Sequence, residues 1–379
     1  MMNPGDRLSA RRGETGNPNE KEAVGELYDK IYQPEMEAVI FFCSSRYDLT
    51  KLSIELKDKF PCTLIGCTTA GEISSLGYQE GGIAGVSLSS PELKVHTHTI
   101  APLNRFGLSE ARKLADRILK ELSFSDRIQK ERMFGFLLID GLSLLEEQVA
   151  AALYNPFEGV SIIGGSAGDD LQFRETKVYA DGNFVSDAAT FTLFETTLPF
   201  YVFKTQHFKP TNQKLVITEA KPSHRIVSEI NAEPSAQEFA RILGLQITDL
   251  GPRVFSKYPL MLKIGDEWYV RSIQKVNDDK SLTFYCAIDV GLVLTVAEGV
   301  DLISNLKDKL KELFLEIPDP KLIIGCDCIL RKLEIFENGI QQEAGQLLTH
   351  ANFIGFSTYG EQFDSVHVNQ TLTGIAIGG

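Results

Sequence analysis

Ser166, Asp169 and Asp170 stand together in Ile163-Gly-Gly-Ser-Ala-Gly-Asp-Asp170. A hydroxyl and two acids in one turn could serve a hydrolase, given a histidine in reach, or could offer oxygen ligands to Mg²⁺. Spacing alone brings no histidine to them, and such acids also cap turns or bond polar ligands. Two related stretches run from Ile65 to Glu72 (Ile-Gly-Cys-Thr-Thr-Ala-Gly-Glu) and from Ile354 to Glu361 (Ile-Gly-Phe-Ser-Thr-Tyr-Gly-Glu). Each passes through small and hydroxylated residues to a glycine followed by an acid. Glycine permits positive φ and close backbone approach, and Ser and Thr bond local backbone groups. Thr69, Ser166, Asp169, Ser357, Tyr359 and Glu361 are therefore candidates to line a pocket for a small polar ligand such as an amino acid.

Other chemistry-bearing residues point less sharply. His96 and His98 alternate on a strand, so they share a face, but no third ligand stands near and a solvated face accounts for them. His224 follows Pro222 in a loop, His350 ends a helix where the dipole favours a cation, and His367 falls between the third turn and the last strand. Cys326 and Cys328 alternate on a strand without the C-x-x-C setting, which reads as packing rather than redox chemistry. No Gly-Lys-Ser/Thr follows any glycine turn, which excludes a phosphate loop.

The elements that must position these turns repeat. Apolar runs begin at Ala38, Phe134 and Leu322, and each is followed by a helical pattern, the strand ending in the turn, and a further strand. Asp48 caps the first helix, Ser143 and Glu146 form a capping box for the second, and Ile329 to Leu347 keep one helical rhythm in the third. Three matched copies predict an α/β fold of internally repeated strand–helix–strand units with mixed sheets. Residues 1–22 are polar and read as a disordered tail without an export signal. A boundary near 196–199 divides the rest into 24–198 and 199–379, and residues 200–300 belong to no repeat. The net charge of −13 argues against nucleic acid or an anionic membrane as main partner. Six irregularly spaced cysteines suggest reduced thiols in a cytoplasmic chain. No apolar stretch is long enough to insert into a membrane.

"IGCTTAGEIS", "DGL" with "IIGGSAGDD", and "GFSTYGEQF…HVNQTLTGIAI" resemble the FIST domains, with N-terminal and C-terminal parts both present from about Glu37 onward. The resemblance implies a noncatalytic bacterial sensory protein that binds a small-molecule or gaseous ligand and feeds a signalling partner. The segment from "FKTQHFKPTNQKLVITEA" to "YCAIDVG" is similar to the stand-alone FIST proteins described as nitric-oxide sensors. That likeness implies haem and a partner histidine kinase. On this reading His207, flanked by Phe203, Phe208, Lys204 and Lys209, is the expected haem-iron ligand, with the lysines near the propionates. A strand-end histidine satisfied by hydrogen bonds is the plainer alternative.

Overall fold

The computed structural model describes residues 7–124, 127–157 and 159–379. The apolar runs become central strands buried on both faces, which is why they read as unbroken apolar stretches. The first unit comprises β1 (Ser9–Thr15), α1 (Glu20–Ile31), β2 (Ala38–Ser44), α2 (Leu49–Lys59), β3 (Thr63–Thr69), β4 (Glu72–Ser74), β5 (Gly77–Gln79) and β6 (Ile83–Ser89). The second repeats this order with β7 (Leu93–Ile100), α3 (Leu108–Leu119), β8 (Met133–Ile139), α4 (Glu146–Tyr154), β9 (Ser161–Ser166), β10 (Val178–Ala180), β11 (Asn183–Val185) and β12 (Ala189–Thr196).

The third unit opens with β13 (Phe200–Thr205) and is then interrupted by a module of its own. The module contains β14 (Phe208–Lys221), β15 (Ile226–Ile230), β16 (Glu233–Pro234), α5 (Ser235–Leu243), α6 (Pro252–Lys257), β17 (Leu260–Ile264), β18 (Glu267–Arg271), β19 (Ile273–Val276), β20 (Leu282–Phe284) and β21 (Val293–Gly299). These eight strands form one sheet around a separate core that includes Leu215, Val227, Phe239, Phe255 and Leu294. The unit resumes with α7 (Leu302–Glu316), β22 (Pro320–Cys328), α8 (Ile329–Glu337), α9 (Gln341–His350), β23 (Phe353–Thr358), β24 (Glu361–Phe363), β25 (Val366–Val368) and β26 (Leu372–Gly378).

Each unit builds a six-stranded mixed sheet, but none completes its own. The sheet orders are β1-β6-β2-β3-β10-β11, β7-β12-β8-β9-β24-β25 and β13-β26-β22-β23-β4-β5. The hairpin after each glycine turn thus crosses to a neighbouring unit, and the exchange runs in a closed cycle of three. Alternation along the strands divides the core. Ile40 and Phe42 point to a centre shared with Phe134, Phe136, Ile324 and Phe356 from the other two sheets. Val39 and Phe41 point outward against Leu27, Leu52 and Leu56 of the covering helices.

Three local expectations are corrected. The polar stretch read as a disordered tail contains β1, paired along β6 from Ser9↔Ser89 to Thr15↔Ile83, and Asn19 caps α1 by accepting from Glu22 N at 3.1 Å. An edge strand has a solvated side that tolerates polar residues, so composition misleads there; residues 1–6 lie outside the described residues. The single rhythm from Ile329 to Leu347 is two helices, broken where Gly339 adopts φ 67°. Ser143 and Glu146 make no capping box: α4 has no side-chain cap, because Glu146 is engaged elsewhere.

Candidate functional site

The three glycine turns meet and bond to one another through their backbones. Ala70 N donates to Ser357 O at 3.0 Å and Ser357 N to Gly71 O at 2.7 Å. Ser166 N donates to Gly360 O at 2.9 Å, and Gly168 N to Thr68 O at 2.9 Å. The side chains singled out in the sequence are buried in this knot. Thr69 Oγ1 donates to Glu72 Oε1 at 2.6 Å. Gln362 Nε2 donates to Ser166 Oγ at 3.0 Å, so that hydroxyl meets an amide and no imidazole. Asp169 Oδ2 accepts from Arg174 N at 2.6 Å and Glu175 N at 3.0 Å, and its Oδ1 accepts from Phe173 N at 2.9 Å and from the Tyr359 hydroxyl. Glu361 Oε2 accepts from Thr371 N at 3.0 Å and Thr371 Oγ1 at 2.6 Å. Ser357 Oγ is buried without a partner among the described residues.

Of the six, Tyr359 borders a cleft at this junction. A cavity of about 410 Å³ lies between the loop after β8 (Gly141, Leu142, Leu144), the segment after the second turn (Phe173), and the inserted module (His224, Arg225, Lys275, Asn277, Thr283, Tyr285). Its size and its mixture of aromatic and polar walls suit a small ligand. Arg225 bridges the two sides. Its Nη2 donates to Glu146 Oε2 and Glu147 Oε2, both at 2.6 Å, its Nη1 to Tyr285 O, and Ala287 N donates to Glu147 Oε1 at 2.6 Å. Burial pushes the Glu146 carboxyl up to about 7, with Arg225 opposing and Glu147 adding to the rise.

The cavity also marks where the internal symmetry fails. Glu72 and Glu361 start their hairpins directly after the glycine, whereas eight residues separate Asp169 from Val178. Asp170, Leu171 and Phe173 in that insert have φ of 54°, 64° and 52°, and Leu144 opposite has φ of 59°. Left-handed conformations of bulky residues are strained and persist where the surroundings hold them, often at functional sites. Phe173 stacks on Tyr359 with centroids 4.8 Å apart.

Residues 37–233 match the family model of the FIST N domain, and residues 235–364 match that of the FIST C domain. The chain belongs to the FIST family. No curated protein matches it. FIST domains are sensory, ligand-binding domains associated with signalling. The FIST N match contributes Gly141, Phe173 and Arg225 to the cavity, and the FIST C match contributes Lys275, Tyr285 and Tyr359. No helix among the described residues is long and apolar enough to cross a membrane.

The FIST histidines are distributed as follows. His207, 0 % exposed, has both nitrogens engaged: Nε2 lies 2.9 Å from Glu334 Oε2 and Nδ1 3.2 Å from Arg331 Nη1. Burial pushes its pKa down, and it does not line the cavity beside Tyr359. His207 with these partners does not fit a haem iron, because a ligand nitrogen must be free. His96 meets Glu195 at 3.3 Å and His98 meets Glu121 at 2.9 Å, and His350 Nδ1 lies 2.6 Å from Gln346 O. His224 is the histidine on the cavity wall. Sequence reasoning missed Arg225, Glu146, Phe173 and Tyr285, and the one available signal was an apparent capping box whose Glu had another partner.

Proposed function

We propose that this FIST protein is a cytoplasmic, noncatalytic sensor that takes a small molecule in the cavity between its FIST N and FIST C regions. The observation that supports this best is the coincidence, at one place, of the cavity, the strained insert peculiar to the second unit, and the buried Arg225–Glu146–Glu147 bridge. A ligand that contacts both regions changes the balance of that bridge, and a change of balance needs differential contacts of this kind. The surface altered in this way is read by a signalling partner, for which a histidine kinase is the candidate that the resemblance supplies. Thr283→Trp fills the cavity from β20. In a thermal-shift screen of small metabolites, ligands that raise the wild-type Tm should lose their effect in this variant. Hits that act equally on both proteins would move the site elsewhere.

A second reading has haem as the ligand, bearing nitric oxide. Its supporting observation is that His224, Lys275, Phe173 and Tyr285 share the cavity wall, so an imidazole, a cation for a propionate and aromatic faces are all present. His224 would hold the iron, and the haem would supply the site that binds the gas. Haemin added to the purified protein should give a Soret band that His224→Ala displaces and His207→Ala does not. A spectrum identical in wild type and His224→Ala removes this reading and leaves the first intact.

A further inference from the structure

Arg271, at the end of β18, is a buried cation without a counter-ion. It is 7 % exposed, and no carboxylate among the described residues lies within salt-bridge distance. Its Nη1 donates only to the carbonyls of Val270 and His367, each at 3.3 Å, and its Nε is buried with no partner among the described residues. An uncompensated buried charge is costly, and proteins seldom retain one unless something pairs with it.

Other unpaired donors surround it. Ser272 N donates to Asn369 Oδ1 at 3.4 Å, which sets the amide so that Asn369 Nδ2 is left over, buried and unpartnered. Gln362 Nε2 donates to His367 Nδ1 at 3.2 Å, which places the ring proton on Nε2, and that atom is buried and unpartnered too. His367 and Asn369 both pack against Gly360, where a Cβ would lie 2.2 Å from His367 Cε1, 2.6 Å from its Nε2 and 3.1 Å from Asn369 Nδ2, so only glycine leaves these two donors side by side. Ser272 Oγ is likewise unpartnered. Nearby, Glu147 is held by Arg225 and Ala287 N, and Glu361 bonds Thr371 through Oε2, while Glu361 Oε1 and Gln362 Oε1 are buried acceptors without a partner among the described residues. Burial also pushes Glu361 well above its ordinary value, which favours its neutral form.

We propose that Arg271, His367 and Asn369 form a buried seat for an oxyanion, the carboxylate or phosphate group of a small acidic ligand. A cation with neutral N–H donors is the set that recognises such a group by charge-assisted hydrogen bonds. The seat adjoins the sensor cavity. Tyr285 and Tyr359 line that cavity, Tyr285 N bonds Ser272 O at 2.9 Å, and Tyr359 precedes Gly360. The inference rests on the sensor reading and assigns its ligand class: an acid whose charged head passes the two tyrosines while its body occupies the outer cavity.

The test is calorimetric titration and thermal unfolding of the full chain with sodium acetate and inorganic phosphate, against sodium chloride at equal ionic strength. One oxyanion should bind saturably and raise Tm where chloride does not, and the stronger of the two names the head group. Arg271→Gln should weaken that binding by roughly tenfold or more and should raise the Tm of the ligand-free protein, since it removes an unpaired buried charge. Arg271→Lys, which keeps the charge but loses the fork, should fall between. If neither anion binds saturably, or if Arg271→Gln lowers the ligand-free Tm and leaves the titration unchanged, Arg271 is a structural prop and the proposal fails. A screening hit abolished by Thr283→Trp but indifferent to Arg271→Gln overturns the oxyanion seat while sparing the sensor reading. Loss of response in neither variant sinks both.

Discussion

Glu72 and Glu361 occupy equivalent places after their glycines, yet their surroundings differ. Both Glu72 oxygens are used, by Thr69 Oγ1 at 2.6 Å and Gly82 N at 3.3 Å, while Glu361 keeps Oε1 unpartnered. Burial, partly offset by these bonds, pushes Glu72 up to about 8. A carboxyl whose folded value is raised holds its proton more tightly in the folded state. Its contribution to stability is therefore full below about pH 4.5 and is lost as pH rises through about 8. Each pH unit of displacement corresponds to about 1.4 kcal/mol, so the effect reaches a few kcal/mol. Glu72→Gln should flatten the stability–pH curve across that window and leave the variant the more stable protein at its alkaline end, as urea midpoints would read. An unchanged slope would mean that Glu72 is already ionised in the fold.

Among the elements, the insert between Asp169 and Val178 is set by one carboxylate. Asp169→Ala strips three backbone N–H groups of their acceptor and should cost about 1–3 kcal/mol, with faster hydrogen exchange at Phe173 to Glu175. Ser166→Ala removes one amide contact and should cost about 1 kcal/mol. A larger loss for Ser166 than for Asp169 would invert this ranking. The same contrast shows what could be read beforehand. Runs such as Ala38–Ser44 and Met133–Ile139 announce central strands because burial on both faces demands apolar residues at every position, and Asp48 caps α2 as its type and position imply, accepting from Thr50 N at 3.1 Å. The edge strand β1 carried no such mark. The pairing of Arg225 with Glu146 could not be seen either, because it joins residues 79 apart in sequence and a capping box explained Glu146 equally well. Of the residues expected to line a pocket, Tyr359 reaches the cavity, since hydroxyl-rich turns serve as well to knit backbones as to hold ligands.

For the molecule as a whole, the traded hairpins predict what cutting the chain would do. A fragment ending at residue 198 keeps β9 but lacks β24, its neighbour from Glu361↔Gly165 to Phe363↔Ile163, and its own β4 loses β23. That fragment should show no cooperative unfolding alone, whereas co-expression with residues 199–379 should restore a two-state transition and a stable complex. An independently folded fragment would contradict the exchanged sheets.

The closed cycle behaves like a three-strand splice: no unit can swing outward without tearing two sheets. The ring is a stator, and the inserted module is an arm whose chain leaves it before Phe208 and returns after Gly299, held against it by Arg225 with Glu146 and Glu147, by Arg253 with Glu337 and by Lys204 with Glu267. Those two connections are clamped together where Val300 N donates to His207 O at 2.7 Å, and the His207 ring is in turn riveted to Arg331 and Glu334 of α8. His207 thus sits where both connections of the module meet the ring, and the Arg225 bridge is the second fastening, on the wall of the cavity between them.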